Sequence, residues 1–206
     1  TDFVYSPTVD MKWNELENTW WKYSDYKLNI DYTSLNKEHI TYYDLKKCNA
    51  DVLYISDAWS SEFYWEFTDA EIRAIKDYVL TGHGIISTSG TLSGNMVDNN
   101  MKLAPIFGIN ETFPGYWSQQ LSDSFEFTDM DSPMFEGMPS SYMPENKGVC
   151  VGHYVDEGRI KGKGPVTVGG SEYYSYMTEH RHGKGQTIYL PYMAESGHES
   201  QLDSRL

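Results

Sequence analysis

"FTDAEIRAIKDYVLTGHGIISTSGT", residues 67–91, decides how the chain is read. Thr68 followed by Glu71 has the spacing of a capping box, in which each side chain satisfies the other residue's free backbone N–H. Ile72, Ile75, Tyr78 and Val79 then recur at helical intervals, and Gly82 supplies a C-terminal stop. "GIIST" (84–88) follows at once as a short apolar strand, and "DVLYIS" (51–56) upstream is a second such run. Strand, capped helix, strand is a βαβ unit, so these two strands are expected to lie parallel.

Working outward, "DFVYS" (2–6) and "KLNIDYTSL" (27–35) alternate like strands. "DMKWNELENTWWKY" (10–23) carries Trp13, Leu16, Trp20 and Tyr23 at helical spacing, and "ITYYDLKKCNA" (40–50) is a weaker helical stretch. After residue 91 the texture changes. "NNMKLAPIFGI" (99–109) reads as a short helix broken at Pro105, and "SFEFTD" (124–129) as a strand. "GVCVGHYV" (148–155), "GPVTVGG" (164–170), "YYSYMTEH" (173–180) and "GQTIYLPYM" (185–193) are strand-like and punctuated by glycine. With no repeat, linker or low-complexity tract, residues 1–206 read as one domain. The expected class is α/β: a parallel core with antiparallel additions near the C-terminus.

Composition narrows the partners. Thirty acidic against sixteen basic residues give a net charge of -14, which repels a phosphate backbone and argues against nucleic acid. It suits solubility, or an acidic face for a cation or basic partner. No stretch of 18 apolar residues offers a membrane span. The first residue is Thr1, so an exported precursor remains open and the compartment is not assigned. Aromatics reach 15%, concentrated in "TWWKYSDY" (19–26), "SEFYWEF" (61–67) and "SEYYSYM" (171–177), a pattern that suits sugar platforms, subunit interfaces and half-buried strands alike. Cys48 and Cys150 form no CxxC motif, and sequence leaves their pairing open.

Several segments together carry a resemblance: "NADVLYISD" (49–57), residues 67–91, "LAPIFGI" (103–109), "DSPMFEGMPSSY" (131–142) and "HRHGKGQTIYLPYMAESGH" (180–198). In this order they resemble the class I glutamine-amidotransferase-like superfamily, and within it the ThuA-like (trehalose-utilisation) branch. The resemblance implies a three-layer flavodoxin-like sandwich, its mostly parallel sheet covered by helices on both faces. It also implies a ligand site outside the carboxyl ends of the strands. Those ends fall at Ser56 to Trp59, at Ser87 to Thr91 and near His153, which makes Asp57, Trp59, Trp65 and Thr91 the expected ligand contacts. Amidotransferases of the superfamily place a cysteine in the turn after the strand, where its thiolate attacks the amide carbonyl. Here that turn is "STSGT", so amide hydrolysis by that route is not expected.

Two chemical alternatives remain. Ser89 could replace the cysteine, with His153 or His198 as its base. "EHRH" (179–182) sets His180 and His182 on one face of a strand, where both could reach a divalent metal; no other cofactor is implied. "GRIKGKGP" (158–165) lacks the Ser/Thr and helix of a P-loop and reads as a solvated hairpin turn. The expected function is a domain lacking the catalytic cysteine that binds a small polar, carbohydrate-type molecule or a protein partner. The rival readings are a hydrolase using Ser89 or a His-bound metal, and a structural domain that oligomerises through aromatic surfaces.

Overall fold

The computed structural model describes residues 33, 35, 37–55, 65–92, 98–110, 116–135, 138–143, 148–151, 155 and 158–192. The expected elements at 2–6, 10–23 and 27–35 lie outside or almost wholly outside these residues.

Helix α1 (Tyr42–Cys48) begins at Thr41, whose side chain accepts from Asp44 N while Asp44 reaches back to the Thr41 backbone. It stops at Asn49, which turns left-handed at φ 51. Strand β1 (Val52–Ile55) follows. Helix α2 (Asp69–Leu80) shows the capping box that Thr68 and Glu71 announce: Thr68 Oγ1 accepts from Glu71 N at 3.3 Å and Glu71 Oε2 accepts from Thr68 N at 2.8 Å. Ile72, Ile75, Tyr78 and Val79 are its buried face. Gly82, at φ 121, turns the chain into β2 (Gly84–Thr88). That strand lies parallel to β1, with Val52 opposite Gly84 and Ile55 opposite Ser87.

The remaining strands are β3 (Tyr116–Gln120), β4 (Phe125–Phe127), β5 (Ser141–Tyr142), β6 (Gly148–Val151), β7 (Arg159–Val168), β8 (Ser171–His182) and β9 (Gly185–Leu190). Seven form one sheet in the order β1-β2-β9-β8-β7-β4-β5, while β3 and β6 make a separate antiparallel ribbon. Among the described residues only β1–β2 and β2–β9 pair in parallel; β9–β8, β8–β7, β7–β4 and β4–β5 are antiparallel.

The mostly parallel three-layer sandwich is therefore not the architecture. The physical reason lies in the connections. Tight turns at Gly169–Gly170 and Gly183–Lys184 join β7 to β8 and β8 to β9, and a short turn forces neighbouring strands antiparallel. The α2 crossover sets β1 and β2 parallel, and β9 pairs parallel with β2 across the long stretch of chain that separates them.

The two faces of the sheet are also covered differently. On one, α1, α2 and the 3-10 segment Asp98–Phe107 bury Ile75, Val79, Ile85, Leu103, Phe107 and Tyr189. On the other, Phe125, Phe127, Phe135, Val149, Val166 and Leu190 form a second core, to which the ribbon and the short turn Pro133–Phe135 contribute. Each fully buried large side chain contributes about 1.5–3 kcal/mol. The segment expected to break at Pro105 runs through it as 3-10 helix and ends at Gly108, φ 70. Its last carbonyls hold the sheet: Thr187 Oγ1 donates to Ile106 O at 2.6 Å and Thr178 Oγ1 to Phe107 O at 2.9 Å.

Candidate functional site at the end of strand β2

β2 runs directly into the 3-10 turn Ser89–Leu92, so the sheet and the capped α2 helix together fix where that turn sits. Ser89 has φ 36, left-handed for a residue with a side chain, a strain of about 1–3 kcal/mol that the surroundings must hold. Part of that hold is visible: the buried Tyr189 hydroxyl donates to Ser89 O at 2.8 Å. Ser89 is only 3% exposed, and Thr88, Thr91 and Leu92 are fully buried around it. Ser87, level with Tyr189 across the β2–β9 pair, is buried too, and its Oγ has no hydrogen-bond partner among the described residues.

A second set of contacts fixes the chain where it re-enters the described structure at Trp65. Asn100, fully buried, accepts from Phe67 N at 2.7 Å and donates to Trp65 O at 2.9 Å. Asn99 donates to Phe67 O at 2.6 Å, and its own backbone N–H donates to Glu66 at 2.7 Å. Trp65 is half-buried against the first core, edge-on to Phe67 at 6.2 Å. Of the expected ligand contacts, Trp65 is half-buried and Thr91 is fully buried in the turn after β2. Asp57 and Trp59 lie outside the described residues, as do His153 and His198.

His180 and His182 are elsewhere. His180 pairs with Thr187 and His182 with Gly185, at the beginning of β9. Thr187 is level with Ile85, four residues before Ser89, which separates His180 from the turn by about 13 Å along the strand. Burial, then His180, then Lys76 of α2 lower the pKa of His182. The Lys76 ammonium is thus a like-charged neighbour for any cation there. Among the described residues no group of three or more His, Cys, Asp or Glu comes together.

The structure also builds a site the sequence reading missed. Lys161 falls where the β7–β8 register shifts between Ile160 and Gly162, and its side chain is 2% exposed. Nζ donates to Asp129 at 2.7 Å and lies 2.9 Å from Glu179 Oε2, while Gln186 of β9 donates to the other Glu179 oxygen. Burial pulls the Lys161 pKa down, but the hydrogen bonds to Asp129 and Glu179 outweigh it and raise the pKa above the usual lysine range. "GRIKGKGP" is therefore no solvated turn but the first part of a ten-residue strand.

No protein-family profile and no curated protein matches the sequence. Solved structures do. A putative ThuA-like protein from Bacteroides uniformis superposes over 92% of this chain and 78% of its own, with a TM-score of 0.50 and 15% identity. A cytoplasmic protein from Salmonella typhimurium aligns over 77% of this chain and 65% of its own, with a TM-score of 0.53 and 18% identity. The fold is shared with these proteins. The beta-galactosidase from Rahnella sp. R3 aligns over 68% of this chain at 15% identity, and this chain spans only 20% of its length. Its TM-score of 0.47 is too low to bear on fold or function.

Proposed function

We propose that this chain is a ThuA-like, amidotransferase-like domain that binds a small polar ligand of carbohydrate type where β1, β2 and β9 end. The observation that carries the reading is the turn after β2, strained at Ser89 and packed with small residues, yet without the cysteine that the amidotransferase reaction needs. Asp57 would hydrogen-bond hydroxyl groups, Trp59 and Trp65 would stack on the apolar face of a sugar ring, and the fully buried Thr91 would support the turn from beneath. Titration calorimetry against mono- and disaccharides tests this. Binding that falls at least tenfold in Trp59→Ala supports the site; an unaffected Trp59→Ala, or no binding of any sugar, refutes it.

A second reading has one specific observation in its favour. The left-handed Ser89 has the strained strand-to-turn geometry that presents a nucleophile in serine hydrolases. Its low exposure counts against it, and His180 and His182 are too far along the strands to serve as its base. Labelling by a fluorophosphonate probe, lost in Ser89→Ala, would establish this reading and displace the first.

A further inference from the structure

We propose that the outer face of the β7–β8 hairpin docks a basic peptide segment of a protein partner, with an arginine stacked on Tyr174. The site is separate from the strand-end turn and does not rest on the ligand proposed there. The register sets its floor: Glu126, Lys163 and Tyr176 lie in one row across β4, β7 and β8, and Pro165 and Tyr174 in the next. The Tyr174 and Tyr176 rings sit 6.3 Å apart with planes inclined by 32°, forming one shallow aromatic surface that is half-exposed. Beyond Tyr176 the 3-10 segment rises as a wall, tied to the next residue on that face by the Thr178–Phe107 hydrogen bond.

The charges select the occupant. Lys163 Nζ lies 5.1 Å over the Tyr174 ring, so this ring already holds a cation, supplied by the chain itself. Glu172 accepts from the Tyr174 hydroxyl at 2.6 Å, and Glu126 is exposed beside Lys163. Two carboxylates against one ammonium leave the face net negative, on a chain of charge -14. An arginine stacks on an aromatic face more favourably than a lysine and reaches a carboxylate with its remaining donors. It would take the place of Lys163 over the ring and pair with Glu172 or Glu126.

The test uses the full chain and a fluorescent Gly/Ser-spaced peptide carrying three arginines, against a twin in which citrulline replaces each arginine. Anisotropy should show the arginine peptide binding and the citrulline twin at least fivefold weaker. Tyr174→Leu, which keeps apolar area but removes the ring, should weaken binding about two- to fivefold. Lys163→Ala, which removes the internal competitor, should tighten it, and this variant carries the test if Tyr174→Leu fails to fold. Diffuse attraction to an acidic surface would leave Tyr174→Leu at wild-type affinity, and that result overturns the proposal. So do equal binding of the citrulline twin, weaker binding by Lys163→Ala, and absence of binding.

Discussion

Lys161 offers the sharpest test of how this sheet is held, because its two kinds of partner are unequally buried. The ammonium is 2% exposed, whereas Glu179 and Asp129 are 20% and 44% exposed. Removing the cation leaves two carboxylates that water can still reach. Removing the carboxylates leaves a charge sealed in the protein. Lys161→Met, which keeps most of the stem's packing, should therefore change stability by no more than about 1 kcal/mol. Asp129→Asn with Glu179→Gln should cost about 3–5 kcal/mol, the range for a buried charge stripped of its partners. Most of this should come from Glu179→Gln, since the half-exposed Asp129 is screened by solvent. Urea unfolding gives the comparison directly from midpoints at unchanged slope. Alkaline pH supplies the sign. A lysine whose folded pKa is raised contributes stability that is complete below its unfolded value and lost as pH rises through the folded one. The alkaline decline should accordingly flatten in Lys161→Met. If Lys161→Met proves as damaging as the double carboxylate variant, the asymmetry argued from burial is wrong.

Glu71→Ala should cost about 1–2 kcal/mol, because this carboxylate accepts from Ile40 N, Thr68 N and Thr68 Oγ1. Burial raises its pKa, but these hydrogen bonds win and lower it, so its contribution holds above the unfolded value of 4.5 and fades as pH falls through the folded one; the gap between wild-type and variant denaturant midpoints should be full at pH 7 and narrow as pH is taken progressively below 4.5. Ser87→Ala should be neutral or slightly stabilising in thermal melts, since it removes a buried hydroxyl that has no partner among the described residues. Gly185→Ala should lower the melting temperature well beyond Gly169→Ala. A Cβ at Gly185 would sit 2.3 Å from His83 O and from Val79 O, whereas one at Gly169 meets nothing within 4 Å and bears only the strain of φ 58, about 1 kcal/mol.

The parts legible in the sequence are those written in local code. Thr68 and Glu71 announce α2 because a capping box is complete within four residues, and the short apolar runs 51–56 and 84–88 announce strands, although β1 lies at the sheet edge and leaves Val52 exposed. Sheet direction is not local in the same way. β9 follows β8 by a tight turn but also lies parallel to β2, about a hundred residues earlier, and no spacing within either segment reveals that. Lys161 was hidden by parity. In an unbroken strand Lys161 and Lys163 would share a face, and both would read as solvated. The register shift between Ile160 and Gly162 turns Lys161 inward and leaves Lys163 over Tyr174 on the outer face. The strand-end turn is legible as a turn, but the strain at Ser89 is a dihedral angle, and sequence reports it only where glycine stands in.

The mixed sheet also limits where strand-end chemistry can be assembled. In a mostly parallel sheet, nearly all strands deliver residues to one edge; here β8 and β4 run against the other five described strands of the sheet, and β8, the neighbour of β9, carries its histidines to the opposite edge. Ser89 and the His180–His182 pair are thus separated by topology, and no side-chain rotation closes a gap of about 13 Å. His153 and His198, the bases expected for Ser89, lie outside the described residues. The decisive variant follows from this: His180→Ala with His182→Ala should leave any serine-directed labelling at the wild-type level. Labelling lost in that double variant would mean that β8 reaches the β2 turn, against the register that pairs His180 with Thr187.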